Sequence, residues 1–456
     1  MQTFFKTKTA KAAFFVFILA LLARALFFAA EYRTNNYNLE QTIHGGDAYF
    51  EITQNLIAGH GFSADDAPPY KPHPLRTPGY PYLLAGLLWA FNSYWLILVL
   101  QLCVGSLSCV LALFIAQKLT QSLKVGIAAG VFLALEPYHV LFSGLFFTET
   151  IFVFLFLSFV VLFLRYLEKP TLLLLCMSAA VLGVATLTKT TPQFVPFIVI
   201  PLILWHLRHN LKAAFLHASV FGFIFLALLT PWLYRNYHAF GVVGMSAQPA
   251  FNLIVYLAPS VIALQDGAPL DQASYLAERH LYAPDITLAN ASLYTPEALH
   301  IVRTHLRGLV LVVLISGVTF FTHDGMLTVL QHVGTVMPSL TQPALVLLTH
   351  DPLSFVQLVG ERALGPEGFV LLFRFINILV TILFFWGVIL LWRKKMLSRD
   401  WIFVLLLVAY FLVTTPVNGL GVNARFRMPT EALIVTTALV PLVAIWRSRR
   451  HTFARR

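Results

Sequence analysis

The sequence is short of charge, of cysteine and of glycine-rich phosphate signatures, and each shortage removes a class of function. Only 11% of its 456 residues are charged against 58% hydrophobic, and the mean hydropathy is +0.77. A soluble domain cannot build a polar surface from that composition, so the chain reads as an all-α polytopic membrane protein. The three cysteines, Cys103, Cys109 and Cys176, sit inside apolar runs without CxxC spacing. That excludes a disulfide framework or a zinc cluster and leaves packing as their role. No Walker loop and no dinucleotide fingerprint occurs, so soluble nucleotide chemistry has no support. Acids are also scarce: 20 Asp and Glu face 31 Lys and Arg, a net charge of +11. In a soluble chain that balance points to nucleic acid. Here it follows from cations at cytoplasmic helix ends, and nucleic acid is set aside as a partner.

What the chain does have is a succession of apolar runs. Lys6, Lys8 and Lys11 precede a run from Ala12 to Ala30 that carries Arg24. It is long for a signal segment and long enough for an uncleaved first crossing with its N-terminus in the cytoplasm. Further spans are expected at about 94–119, 125–142, 145–164, 171–188, 193–207, 213–232, 369–391, 401–415 and 431–446. Cations mark every second connection (Lys118 and Lys124, Arg165 and Lys169, Arg208 and Lys212, Arg393 to Lys395, and the tail from Arg447). This alternation places both termini inside. A hairpin within 308–350 spans, re-enters or rests on the outer surface, which gives about ten or about twelve helices in one transmembrane unit over 1–456. The outer segments are then 31–93, with surface-lying helices, and 233–368.

The first long polar break, His44 to Pro81, is the expected seat of chemistry. It opens with Gly45, Gly46 and Asp47, continues with Tyr49, Ile52, Leu56 and Ile57 at helical spacing, and ends in Arg76-Thr77-Pro78-Gly79-Tyr80-Pro81. Counting crossings puts Asp47, Arg76, Glu149, Lys189, Arg235, Arg425 and Arg427 on the same outer side, although they are scattered over most of the chain. Ionisable groups near a membrane usually face a bundle interior or a wet cavity, so one cavity lined by two acids and several cations is expected. Arginine forks match phosphate oxygens, and a carboxylate can take a proton from an incoming hydroxyl. At a membrane the phosphate-bearing substrate is a lipid. Bland readings run alongside: Asp47 as a helix N-cap, Glu149 as a cap or a dipole partner, Arg235 and Lys189 as interfacial snorkels. His44, His60 and His73 crowd the first loop without metal-ligand spacing, so a divalent metal has no support from the sequence. A secondary transporter or lipid-linked sugar flippase would place its substrate near the midplane on broken, repeated helices, whereas these charges sit at outer helix ends and no internal repeat is visible.

The order of several short motifs resembles the glycosyltransferase family 39 group of integral-membrane enzymes of the GT-C fold, which includes aminoarabinose transferases and protein mannosyltransferases. They are Gly46-Asp47-Ala48-Tyr49, Asn55 to Phe62, Arg76-Thr77-Pro78-Gly79-Tyr80-Pro81, Thr148-Glu149, Thr188-Lys189, Pro231 to Tyr237 with Gly241, and Arg425-Phe426-Arg427-Met428-Pro429. The resemblance implies transfer of a sugar from a polyprenyl-phosphate donor to a lipid, glycan or protein acceptor outside the cytoplasmic membrane. It also implies Asp47 as the catalytic acid of the first loop, Arg76 as the cation facing the donor phosphate, and Glu149 as the acid of the second outer loop. Asp47 is followed by Ala48 where the protein mannosyltransferases carry glutamate, and Leu75 stands where the aminoarabinose enzymes carry an acid. Neither group's acceptor is carried over.

Overall fold

The computed structural model describes residues 2–267, 286–335, 351–364, 368–420 and 423–443. Within them the chain is helical, with no β-strand among the described residues. In hydrocarbon every backbone N–H and C=O must find its partner inside its own segment, and a continuous apolar run can do that only as a helix. The chain is accordingly a polytopic all-α membrane protein. Among the described residues seven helices are long and apolar enough to cross a bilayer, or nine if each of two bent pairs counts as one span.

Where they are described, the ten sequence-expected crossings fall on helical segments, but they are not equivalent. Leu172–Thr188 and Thr191–His206 are shorter than a full crossing. The stretch expected as one span over 125–142 is two helices, Leu123–Leu135 and Pro137–Gly144, meeting at 54°. Pro137 explains the break: proline supplies no N–H to a preceding turn, and Glu136 caps the second piece by accepting from the His139 N–H at 2.8 Å. Ala291–Thr304 and Leu306–Thr322 meet at 92°, so the second enters the bundle from a helix lying across it. The partner proposed for that hairpin, and the C-terminal tail, lie outside the described residues.

The first helix, Gln2–Thr34, is part of the bundle. Arg24 is fully buried and donates to the carbonyls of Ala20 and Ala134 and to Cys109 Sγ. Cys109 is thus a buried packing residue, and none of the three cysteines is disulfide-bonded. Helix Thr148–Glu168 lies at the centre, burying Phe152, Phe156, Phe159 and Phe163 along one line. Its rings meet Phe403 and Phe411 of the helix Arg399–Thr414.

Two ends are distinguishable. At one, Gln117 donates to Thr9, Lys118 pairs with Glu168 at 2.6 Å, and Arg399 bonds His206 at 2.6 Å. At the other, the loop after the first helix folds over the bundle. Its helix Tyr49–Ile57 buries Tyr49, Ile52 and Thr53 and leaves Ile57 exposed. Tyr49 packs edge-on against Tyr80 of helix Gly79–Phe91 and against Phe147. The amphipathic face expected to meet lipid is therefore used largely against protein.

Candidate active site

Five of the seven residues singled out in the sequence converge at the second end. The Asp47 carboxylate accepts from Arg76 Nη2 through Oδ1 at 3.0 Å and from Arg425 Nη2 through Oδ2 at 2.9 Å. Arg76 also donates through Nε to the Asp47 carbonyl at 2.8 Å. Arg425 turns its Nε to Glu149 Oε1, the same oxygen that takes Lys189 Nζ at 2.7 Å. The result is a chain of alternating charge, Arg76, Asp47, Arg425, Glu149, Lys189, with three cations to two acids.

Local sequence explains how each member is held. Ala48 adopts a left-handed conformation, φ 62°, and caps the next helix without a side-chain bond. A non-glycine residue there costs roughly 1–2 kcal/mol. That turn aims Asp47 away from the helix and into the arginines, so it is not acting as an N-cap. Arg76 is set by His73, whose Nδ1 accepts the N–H groups of Leu75 and Arg76 at 3.4 and 3.3 Å. Burial, then the charges of Arg76 and Arg235, press the His73 pKa down from 6.5 to about 4, so its ring stays neutral and able to accept. Just beyond, Gly79 lies against the end of helix Leu172–Thr188: a Cβ there would stand 2.7 Å from the Thr188 nitrogen. Thr77 donates to the Thr188 carbonyl at 3.0 Å. This close approach brings Lys189 to the first loop.

The guanidiniums rest on aromatic faces. Arg76 lies 5.3 Å from the Tyr49 ring centre, and Arg425 lies 4.8 Å from that of Phe147 and 5.4 Å from that of Phe142. Such faces hold a cation without neutralising it. A cavity of about 570 Å³ opens beside the charges and is lined by Asp47, Arg76, Lys189 and Arg425. Glu149 does not line it. Its side chain is 2% exposed, behind Lys189 and Arg425.

The other two expected residues go elsewhere. Arg235 stacks over Trp232 and Phe62 and donates to Asn236 Oδ1 at 2.8 Å, fastening the first loop to helix Leu211–Phe240. Arg427, two residues beyond Arg425, points to the opposite face of its short helix. It is buried, pairs with Glu431 at 2.9 Å and donates to the carbonyls of Phe320 and Phe321. Two residues on a helix lie about 200° apart, so both arginines cannot enter one cavity.

The histidines of the first loop do not converge either. His44 bonds Glu51 at 2.9 Å and His60 stacks on Tyr70. Potential metal ligands occur instead at Glu136, His139 and Glu431, which are buried with donor atoms within 4.8 Å of one another. Glu431 there already carries Arg427. Neither this trio nor the amides Gln248, Asn252 and Asn418 beside the cavity was singled out in the sequence. Uncharged polar residues in mixed segments leave no periodic signal, and the trio joins residues almost 300 positions apart.

Residues 72–234 match the family described as dolichyl-phosphate-mannose-protein mannosyltransferase. The resemblance drawn from the order of the motifs, to membrane glycosyltransferases of the GT-C kind, stands with that match. No curated protein matches the chain in sequence. Among solved structures it is similar to the archaeal oligosaccharyltransferase AglB from Archaeoglobus fulgidus, determined with an inhibitory peptide and a dolichol-phosphate. The identity is 13% and the TM-score 0.44, over 95% of this chain and 52% of that one. The chain thus spans about half the length of that protein.

Proposed function

We propose that this chain is a membrane glycosyltransferase, acting as a single unit, that moves a sugar from a polyprenyl-phosphate donor to an acceptor at the extracytoplasmic face of the cytoplasmic membrane. The observation that carries the reading is the surplus cation in the chain from Arg76 to Lys189, opening on a cavity between an apolar bundle and a polar loop. An anionic head group on an apolar tail fits that boundary. Sidedness rests on Lys118, Lys124, Arg165, Lys169, Arg208 and Lys212, which cluster at the connections of the opposite end.

The proposed chemistry uses the ion pairs as a latch. A donor phosphate between Arg76 and Arg425 competes for the forks that hold the two Asp47 oxygens. Lone pairs freed on Asp47 then accept the proton of an acceptor hydroxyl as its oxygen bonds to the anomeric carbon. The bond from that carbon to the phosphate oxygen breaks, and the arginines stabilise the negative charge left on the lipid phosphate. One displacement of this kind inverts the anomeric centre. Glu149, excluded from the cavity, keeps Arg425 and Lys189 in place.

The test is Asp47→Asn, which preserves shape but not proton acceptance. Turnover of a polyprenyl-phosphate hexose, followed as release of polyprenyl phosphate, is expected to fall by about 10² to 10⁴ with the donor still bound. Near-parental turnover would remove Asp47 from the chemistry.

A further inference from the structure

The wall of the cavity that leads away from Arg76 carries no charged side chain among the described residues. Arg76 Nη1 donates to Gln248 Oε1 at 3.2 Å, Gln248 Nε2 to Asn252 Oδ1 at 2.7 Å, and Asn252 Nδ2 to Asn418 Oδ1 at 2.8 Å. The series ends where Asn418 Nδ2 meets the Thr415 carbonyl at 3.0 Å. Three amides from two distant segments are thus strung from the proposed phosphate-binding arginine into the cavity, all of them lining it. Each amide retains a second N–H and spare lone pairs beyond the bonds of the string.

The backbone around the string is specialised. Asn252 begins a π-helical turn, Asn252–Leu257, a distortion frequent at functional sites. Gly419, at φ 61°, lets the Asn418 segment lie directly on that turn: a Cβ would stand 2.5 Å from the Tyr256 carbonyl oxygen. The Ser260 hydroxyl accepts the Leu420 N–H at 3.1 Å, and Ser316 donates to the Gly419 carbonyl at 3.1 Å. Phe251 and Tyr256 add ring surface beside the amides. Among the described residues the charged side chains lining the cavity, Asp47, Arg76, Lys189 and Arg425, all belong to the ion-pair chain.

We infer that Gln248, Asn252 and Asn418 form the subsite for the sugar of the donor, and that this sugar is neutral and hydroxylated. The inference rests on the donor reading above. Amides donate to and accept from hydroxyl groups, and the aromatic faces take the ring's C–H surface. An amino sugar would bring a cation to a wall of amides, while the one acid lining the cavity among the described residues, Asp47, is held by Arg76 and Arg425.

Binding by the full-length protein in nanodiscs separates the claims, using three probes: polyprenyl phosphate, the same lipid carrying a neutral hexose, and the same lipid carrying a 4-amino-4-deoxypentose. The hexose lipid should bind the parent more tightly than either other probe. Asn252→Ala and Asn418→Ala should each remove about tenfold of the hexose advantage, the worth of roughly one hydrogen bond. Both should leave binding of the bare lipid phosphate unchanged, which also reports correct folding. Asn252→Asp, close in shape, should shift preference toward the aminopentose lipid. If the hexose advantage survives both alanine variants, or if the parent prefers the aminopentose lipid, the subsite is overturned while the donor reading stands. Failure of the parent to bind bare polyprenyl phosphate overturns the donor reading and this inference with it.

Discussion

Replacing Glu149 by glutamine separates a residue that positions cations from one that does chemistry. In the parent, one oxygen of this 2%-exposed side chain accepts from both Lys189 Nζ, at 2.7 Å, and Arg425 Nε. The substitution keeps shape and volume and removes one negative charge. Arg425 retains Asp47 at 2.9 Å, but Lys189 loses its only paired carboxylate among the described residues and keeps a neutral amide oxygen and two aromatic neighbours, Phe152 and Phe426, each 5.9 Å from its nitrogen to the ring centre. Breaking a buried pair by deleting one partner typically costs about 3–5 kcal/mol, because the remaining charge stays desolvated and unmatched. Chemical denaturation in detergent should show a loss of that order in Glu149→Gln. Removing the stranded charge as well, in Glu149→Gln with Lys189→Met, should recover on the order of 0.5–3 kcal/mol as coupling between the sites. Turnover should fall in both, since Arg425 has lost its second anchor. The reasoning is refuted if Glu149→Gln is as stable as the parent while turnover drops a hundredfold. Glu149 would then be acting on substrate.

Three further outcomes can be measured. Gly79→Ala drives a methyl group to 2.7 Å from the Thr188 nitrogen, so overpacking should cost about 1–3 kcal/mol and pull Arg76 away from Lys189. An unchanged melting temperature would show that the contact yields. His73 has its pKa lowered from 6.5 to about 4, so the unfolded chain binds the extra proton between these values. Its share of stability is therefore complete above about pH 6.5 and is lost as pH falls toward 4, by about 3 kcal/mol. His73→Asn keeps an acceptor for the loop and should flatten the parent's acid-side decline, whereas an identical pH profile would exclude His73 as its source. Reporter fusions after Lys212, in the first turn of helix Leu211–Phe240, and after Gly241, just past its end, should report cytoplasmic and external positions respectively; the reverse result would invert the proposed sidedness.

The sequence alone determined the class, because composition decides what the bilayer permits. Long apolar runs with so little charge have no alternative to spanning helices, and the approximate positions of those helices were legible in it. It also marked Asp47, Arg76, Glu149, Lys189 and Arg425, since counting crossings assigns a side to a charge without any knowledge of packing. A side is not a contact, however. Only tertiary structure decided that Arg425 enters the cavity while Arg427 turns to Glu431, a matter of rotation about one helix axis. It likewise withdrew Glu149 behind its cations and sent Arg235 onto Trp232. The break at Glu136 and Pro137, inside what hydropathy reads as one span, was equally hidden, because hydropathy sums over a window and does not register a missing N–H. The amide string was the least visible of all. Gln248, Asn252 and Asn418 are ordinary loop residues in sequence, and they become one wall only where Gly419 lets two backbones touch.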